Sequence, residues 1–372
     1  MNYIDRRKWL KTAGLGSGFT LLSGVSTISA ATNQIVTEKT EGSIAKLNSN
    51  ENPFGPSKRV RTAISEAFDK ACRYPSFVFR PFLEQIAEAE GVTTDHIVIT
   101  GGSTEGLKAT GLTYGIDQGE IIAADPTFQA MLRYAEGFGS YVHRVPVDEN
   151  MGHDLNAMAQ RINNKTRLIF ICNPNNPTGT LIDKSTLSDF CSSISKKAVV
   201  FSDEAYYDFI IEPNYPSMVS LVKEGMNVIV SKTFSKVYGL AGMRLGYLIA
   251  RPDIAARLRR NIMAMTNVLA IEAAKEALKD DEFYKFSLQK NTEAKNSIYR
   301  TLDDLNLQYV KSHTNFVFFK SGKHISDLIP AMQKEGVIVG RPFPPFYDWC
   351  RISTGTMENM KQFDLALKKV LG

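Results

Sequence analysis

The chain alternates between short, almost wholly apolar runs and longer stretches with helical spacing. The apolar runs are His96–Thr100, Glu120–Ala124, Ser140–Val145, Arg167–Cys172, Ala198–Ser202, Val228–Ser231 and Gly246–Ala250. Their length and β-branched content predict strands. Strands apolar on both faces, with helical segments between them, predict a buried and mostly parallel seven-stranded sheet in an α/β fold. Residues 253–305 then read as strongly helical. Beyond them, Asn315–Phe319, Gly336–Val339 and Arg351–Thr354 read as strands of a smaller α+β layer, with the stretch after the N-terminal segment folded onto it. Most of the polar, motif-like residues follow the carboxyl ends of the predicted strands, where open α/β sheets bind their ligands.

The first thirty residues break this pattern. Asp5-Arg6-Arg7-Lys8-Trp9-Leu10-Lys11 is followed by an uncharged stretch from Thr12 to Thr37, rich in Gly and Ser and passing through Ser29-Ala30-Ala31. A basic start, a weakly apolar middle and a small-residue end make an export signal, and the paired arginines resemble the twin-arginine type. That route carries folded proteins through its own export machinery, and implies a soluble, periplasmic mature protein. The signal also changes the reading of charge. The chain of 372 residues carries +5, but the segment through Ala31 holds +3 of it. A remainder so close to neutral argues against a nucleic-acid partner. Four scattered Cys and five scattered His give neither a disulfide framework nor a metal site.

Four local features call for one explanation. Asn173-Pro174-Asn175-Asn176-Pro177-Thr178-Gly179, Asp203-Glu204-Ala205-Tyr206-Tyr207 and Ser231-Lys232-Thr233-Phe234-Ser235-Lys236 each follow or end a strand, and Gly242-Met243-Arg244-Leu245-Gly246 comes next. Each alone reads as a turn or a helix cap. Together, in this order, they resemble the fold-type I enzymes that use pyridoxal 5'-phosphate (PLP), in particular the class I and II aminotransferases of the histidinol-phosphate aminotransferase kind. The resemblance runs from Leu47 to the C-terminus. It includes the Leu47–Gly55 run, Arg73-Tyr74-Pro75 and Cys350–Thr356. It implies a signal at 1–31, an arm at 32–60, a large PLP-binding domain at 61–265 and a small domain at 266–372.

The resemblance also assigns roles. A lysine amine holds the cofactor covalently and moves protons. The family places an arginine eight residues after that lysine, and Lys236 to Arg244 has this spacing. Lys236 is therefore preferred over Lys232, which reads as a strand-end or phosphate-side residue. Thr233, Ser235 and Arg244 match the phosphate cup, with the amides of Gly102, Ser103 and Thr104 at a helix N-terminus. Asp203 matches the partner of the pyridine nitrogen, Tyr206 and Asn176 the partners of the ring oxygen, and Phe128 the stacked aromatic. Tyr74 matches a tyrosine lent to the neighbouring subunit, which implies a homodimer with shared active sites. Arg351 matches the grip on the substrate α-carboxylate, for which a planar fork suits. Asn52 is placed near the substrate.

The implied reaction transfers an amino group between an amino acid and a 2-oxo acid. For the substrate side chain, Arg341 is a candidate phosphate ligand, although a Gly stands in this stretch where such an arginine is expected. The short aromatic stretch Phe343–Trp349 and the export signal favour an apolar or aromatic amino acid over histidinol phosphate. A PLP-dependent lyase or decarboxylase, and a non-catalytic binding module on the same fold, are the rival readings.

Overall fold

The computed structural model describes residues 44–372. The signal-like segment lies outside the described residues. The described chain opens with a two-residue strand, β1 (Ala45–Lys46). It then builds one sheet from β2 (Ile97–Thr100), β3 (Glu120–Asp125), β4 (Tyr141–Pro146), β5 (Thr166–Cys172), β6 (Val199–Asp203), β7 (Val228–Thr233) and β8 (Gly246–Ala250). The order across this seven-stranded sheet is β2-β8-β7-β6-β5-β3-β4. Its pairs are parallel except at β8, which runs antiparallel to both β2 and β7.

Near-continuous apolar runs form these strands because both faces are covered. On one face Ile122, Ile169, Val200 and Val230 pack with Phe82, Leu187 and Ile271 of the helices Ser76–Glu90, Lys184–Ile194 and Val268–Ala277. On the other, Ile121, Leu168, Phe170 and Ile229 pack with Leu107, Leu132 and Leu258 of the helices Ser103–Gly115, Ala130–Gly137 and Pro252–Arg259. Successive residues alternate between two buried faces, so no polar alternation survives.

The helical stretch expected over 253–305 is divided into three helices, Pro252–Arg259, Val268–Ala277 and Asp281–Asp304. Capping residues make the divisions. Asn267 accepts from the Ala270 amide, and Asp280 accepts from the Phe283 amide. The buried face of Val268–Ala277 belongs to the large core, so the smaller layer begins with Asp281–Asp304 rather than at residue 266.

That layer holds β9 (Tyr309–Val310), β10 (Phe316–Lys320), β11 (Val337–Ile338) and β12 (Trp349–Ser353). Three of them form an antiparallel sheet in the order β12-β10-β9, while β11 pairs in parallel with β1. Ala45 and Leu47 are buried in the core that Val317, Phe319, Ile352 and Phe363 also build. The arm is thereby tied to the smaller layer, and Asn48–Glu51 run on from it to the edge of the large sheet.

Candidate active site

A cavity of about 570 Å3 lies at that edge. It is reached by the residues that follow the carboxyl ends of the parallel strands, by Ser103 and Thr104 beyond β2, and by Arg244 just before β8. The smaller layer contributes Arg341 and Arg351, and the arm contributes Asn48–Glu51. Parallel strands converge their ends on one edge, which is why motifs far apart in sequence meet here.

Of the two competing lysines, Lys236 lines the cavity. Its Nζ donates to the Asn50 carbonyl at 3.0 Å and lies 5.4 Å from the Tyr206 ring centroid. Burial and the Arg351 charge lower its amine to about 8, against the pull of Glu51 and Asp203. Lys232 stays within β7. It donates to both carboxylate oxygens of Glu90, at 2.8 and 3.0 Å, and Glu90 also accepts the Tyr247 hydroxyl at 2.7 Å. Burial alone would lower the Lys232 amine, but Glu204 and Glu90 outweigh it and hold it above its ordinary value. Lys232 is thus a paired structural cation and not a phosphate-side residue.

Asp203 ends β6, 2% exposed, and accepts from the Ala205 amide at 3.3 Å. Burial raises its carboxyl to about 7, while Lys236 works the other way. Tyr206 is buried beside it. Its oxygen accepts Nδ2 of Asn176 at 3.2 Å and Nδ2 of Asn50 at 2.9 Å. Arg351, in the middle of β12, is 7% exposed. It donates Nη1 to Asn176 Oδ1 and Nη2 to the Asn48 carbonyl, both at 2.7 Å, while its buried Nε has no protein partner. Burial, its first cause, lowers this guanidinium to about 10.

Near the helix Ser103–Gly115, Arg244 takes a left-handed conformation (φ 55°) and donates to the Ala241 carbonyl at 2.8 Å and to Ser235 Oγ at 3.5 Å. Thr233 does not reach the cavity. It donates to Ser235 Oγ at 3.0 Å and so supports its neighbour. Gly102 does not line the cavity either, yet a Cβ there would collide with the Arg244 guanidinium. Phe128 lines the cavity from the loop after β3.

Two expected residues are not brought to this cavity. Asn52 spends its Nδ2 on the Val237 carbonyl at 2.8 Å and Ser287 Oγ at 3.0 Å, and its Oδ1 on the Phe54 amide. It anchors the arm, and Asn50, two residues earlier, faces the site instead. Tyr74 is 87% exposed and away from it. Asn48, Asn50 and Glu51 were not singled out from the sequence, although the Leu47–Gly55 run was visible there. The aromatic stretch also differs from expectation. Phe343 and Trp349 are buried against Phe318 and do not line the cavity. Instead both arginines lie against the Phe343 ring, Arg341 at 4.3 Å and Arg351 at 5.0 Å from its centroid.

An α/β sheet with a lysine, a buried aspartate and an anion-binding cluster at its carboxyl edge defines a class, and comparison with known proteins gives the family. The aminotransferase class I and II family matches residues 43–366, and the chain belongs to it. It is 38% identical over 331 residues to a histidinol-phosphate aminotransferase of Moorella thermoacetica, covering 88% of this chain and 86% of that one. A second, from Idiomarina loihiensis, is 34% identical over 332 residues, covering 88% and 90%. Among solved structures, the histidinol-phosphate aminotransferase of Sinorhizobium meliloti in complex with PLP superimposes with a TM-score of 0.82 at 25% identity, covering 88% of this chain and 90% of that one. The protein is a PLP-dependent aminotransferase.

The residues present fit that cofactor. A desolvated carboxylate with one backbone donor suits a protonated pyridine nitrogen. Ser235, Arg244 and the N-terminus of the helix Ser103–Gly115 form a donor set for a phosphate, and Gly102 leaves room for the guanidinium. Lys236 supplies the amine between them.

Proposed function

We propose that this aminotransferase works on substrates with strongly anionic groups: a dicarboxylic amino acid or a phosphate ester such as histidinol phosphate as donor, and a 2-oxo acid as acceptor. The observation that carries this reading is a second guanidinium, Arg341, at the cavity beside Arg351, which is already taken by the carboxylate common to every amino acid. Arg341 is exposed with one hydrogen bond, to the Pro342 carbonyl at 2.9 Å, and shares the Phe343 ring with Arg351. Both line the cavity. A carboxylate or phosphate pairs with such a fork, and an apolar side chain leaves it unpaired.

Bound PLP supplies a pyridine ring that takes up the electron pair left when the substrate loses its α-proton. Asp203 keeps that ring protonated, since a positive partner restores the buried carboxylate to its ionised form. Arg351 orients the anionic group beside the reacting carbon, which is the α-carboxylate in an amino acid and the phosphate ester in histidinol phosphate, a compound with no carboxylate. Lys236, with its amine lowered to about 8, accepts the α-proton at Nζ and gives it back on the other side of the exchange. Arg244, Ser235 and the amides of Ser103 and Thr104 hold the phosphate, Asn176 and Tyr206 the ring oxygen, and Phe128 the ring face. The same reading takes the protein as a homodimer in which Tyr74 serves the partner's site.

The test is a panel of single half-reactions followed by the cofactor's absorbance, with glutamate, histidinol phosphate, phenylalanine and leucine as donors. Glutamate or histidinol phosphate should react fastest. Arg341→Gln should lower kcat/KM for that donor by about tenfold to a hundredfold, the value of a charge-assisted hydrogen bond, and leave phenylalanine within about twofold. Phenylalanine or leucine outrunning both anionic donors would overturn the reading.

For location, the support is the Arg6-Arg7 signal together with a family match that begins only at residue 43. The enzyme then works in the periplasm. Fractionation of cells should place the protein there. The double change Arg6→Lys and Arg7→Lys should retain it in the cytoplasm, and equal export of both forms would refute the signal.

A further inference from the structure

The polarity of the Tyr206 hydroxyl is set by its neighbours. Its oxygen accepts from two side-chain amides, Asn50 and Asn176. Each amide is oriented from its far end. Asn176 Oδ1 accepts Nη1 of Arg351, and a guanidinium carries only donors. On the other side, the Ser353 oxygen takes the Asn50 backbone N–H at 2.8 Å, and its hydroxyl donates to Asn50 Oδ1 at 2.8 Å. Both amides therefore turn their NH2 groups toward Tyr206. With its acceptor capacity filled twice, the phenol has only its proton left to offer, and the cavity is the place left to offer it.

We propose that Asn50 is a positioning residue that acts through Tyr206, committing the phenol to donate toward the ring oxygen of bound cofactor. This rests on the cofactor reading given above. Asn50 is 2% exposed and has a φ of 53°, a left-handed conformation that Asn tolerates and Gly adopts freely. That backbone shape also aims its carbonyl at Lys236 Nζ. Asn50→Gly thus removes the carboxamide and keeps both the backbone path and the lysine's partner.

The experiment uses wild type, Asn50→Gly, Tyr206→Phe and the double variant. Apoprotein is titrated with PLP by fluorescence quenching, and the absorbance of the bound cofactor is followed against pH. Asn50→Gly should weaken PLP affinity about tenfold, the order of one hydrogen bond, and move the absorbance midpoint to higher pH, because the ring oxygen's anionic form loses a committed donor. In the Tyr206→Phe background the same change should alter affinity by less than about twofold and leave the midpoint in place. An undiminished loss in that background would overturn the proposal, since Asn50 would then only anchor the arm. A silent Asn50→Gly would overturn it as well. If Asn50→Gly fails to fold, Ser353→Ala decides: it frees the Asn50 amide to rotate and should show the same dependence on Tyr206. Tyr206→Phe with no effect on either readout would sink the cofactor reading itself, and the proposal with it.

Discussion

Lys236 shows how a side chain's neighbours set its chemistry. An exposed lysine near pH 7 is almost wholly protonated and cannot accept a proton. Here burial, and then Arg351, bring the amine from 10.5 to about 8. Apoprotein should therefore take up PLP covalently at a rate that rises with pH and reaches half its maximum near pH 8. Arg351→Gln removes one of the lowering causes and should shift that midpoint upward, as read by absorbance in stopped flow. A wild-type midpoint at or above 10.5 would refute the environment described. The sign for stability follows from the same shift. The unfolded lysine binds its proton more tightly than the folded one, so this group makes cofactor-free protein more stable as pH climbs from about 8 to 10.5. Asp203 acts in the opposite sense at lower pH: its folded carboxyl is raised to about 7, so its contribution falls as pH climbs through that region from 3.8.

Elements explain which of these residues were legible in the sequence. The strands of the large sheet were readable because burial on both faces leaves runs of four to seven apolar-rich residues with little polar interruption. Their carboxyl ends carried Asp203, Asn176, Ser235 and Lys236 with them. The two-residue strands β1 and β9 have no periodicity to read, and although Gly336–Val339 reads as a strand, its pairing as β11 with β1 appears only in three dimensions. Asn50 was missed for a similar reason. Its contacts reach Ser353, Tyr206 and Lys236, and its part depends on a positive φ that an Asn merely permits. Asn52 was misplaced because the motif was visible but the direction of its side chains was not. Gly246 shows how tightly the elements meet behind the site. A Cβ there would lie 2.8 Å from both the Lys232 carbonyl and the Ser103 amide, neither of which is a flexible side-chain end. The strand β8 and the N-terminus of the helix Ser103–Gly115 are thus held close by the absence of a side chain. Gly340 does the same beside Arg351, where a Cβ would lie 2.6 Å from the Arg351 carbonyl. That contact leaves no room for an arginine at 340, and it is the next residue, Arg341, that lines the cavity.

At the scale of the whole molecule, Tyr74 does not reach the cavity of its own chain. It stands 87% exposed, just before the helix Ser76–Glu90, whose second residue, Phe77, is 48% exposed. Truncating so exposed a side chain should change the stability of the isolated fold by no more than about 0.5 kcal/mol. If the homodimer proposed above lends Tyr74 to the partner's site, Tyr74→Ala should still weaken cofactor binding and cut activity. Mixing makes the point independent of any single variant's defect. Lys236→Ala protein should be inactive on its own, and Tyr74→Ala protein should be impaired. In a mixed dimer with shared sites, one site carries both changes and the other carries neither. Unfolding, mixing equal amounts and refolding gives about half mixed dimers by random pairing, each with one intact site of two. Activity should then recover to about a quarter of wild type, well above the mean of the two parents. Sites built within one chain would give that mean and nothing more, and a monomer by sedimentation would remove the premise altogether.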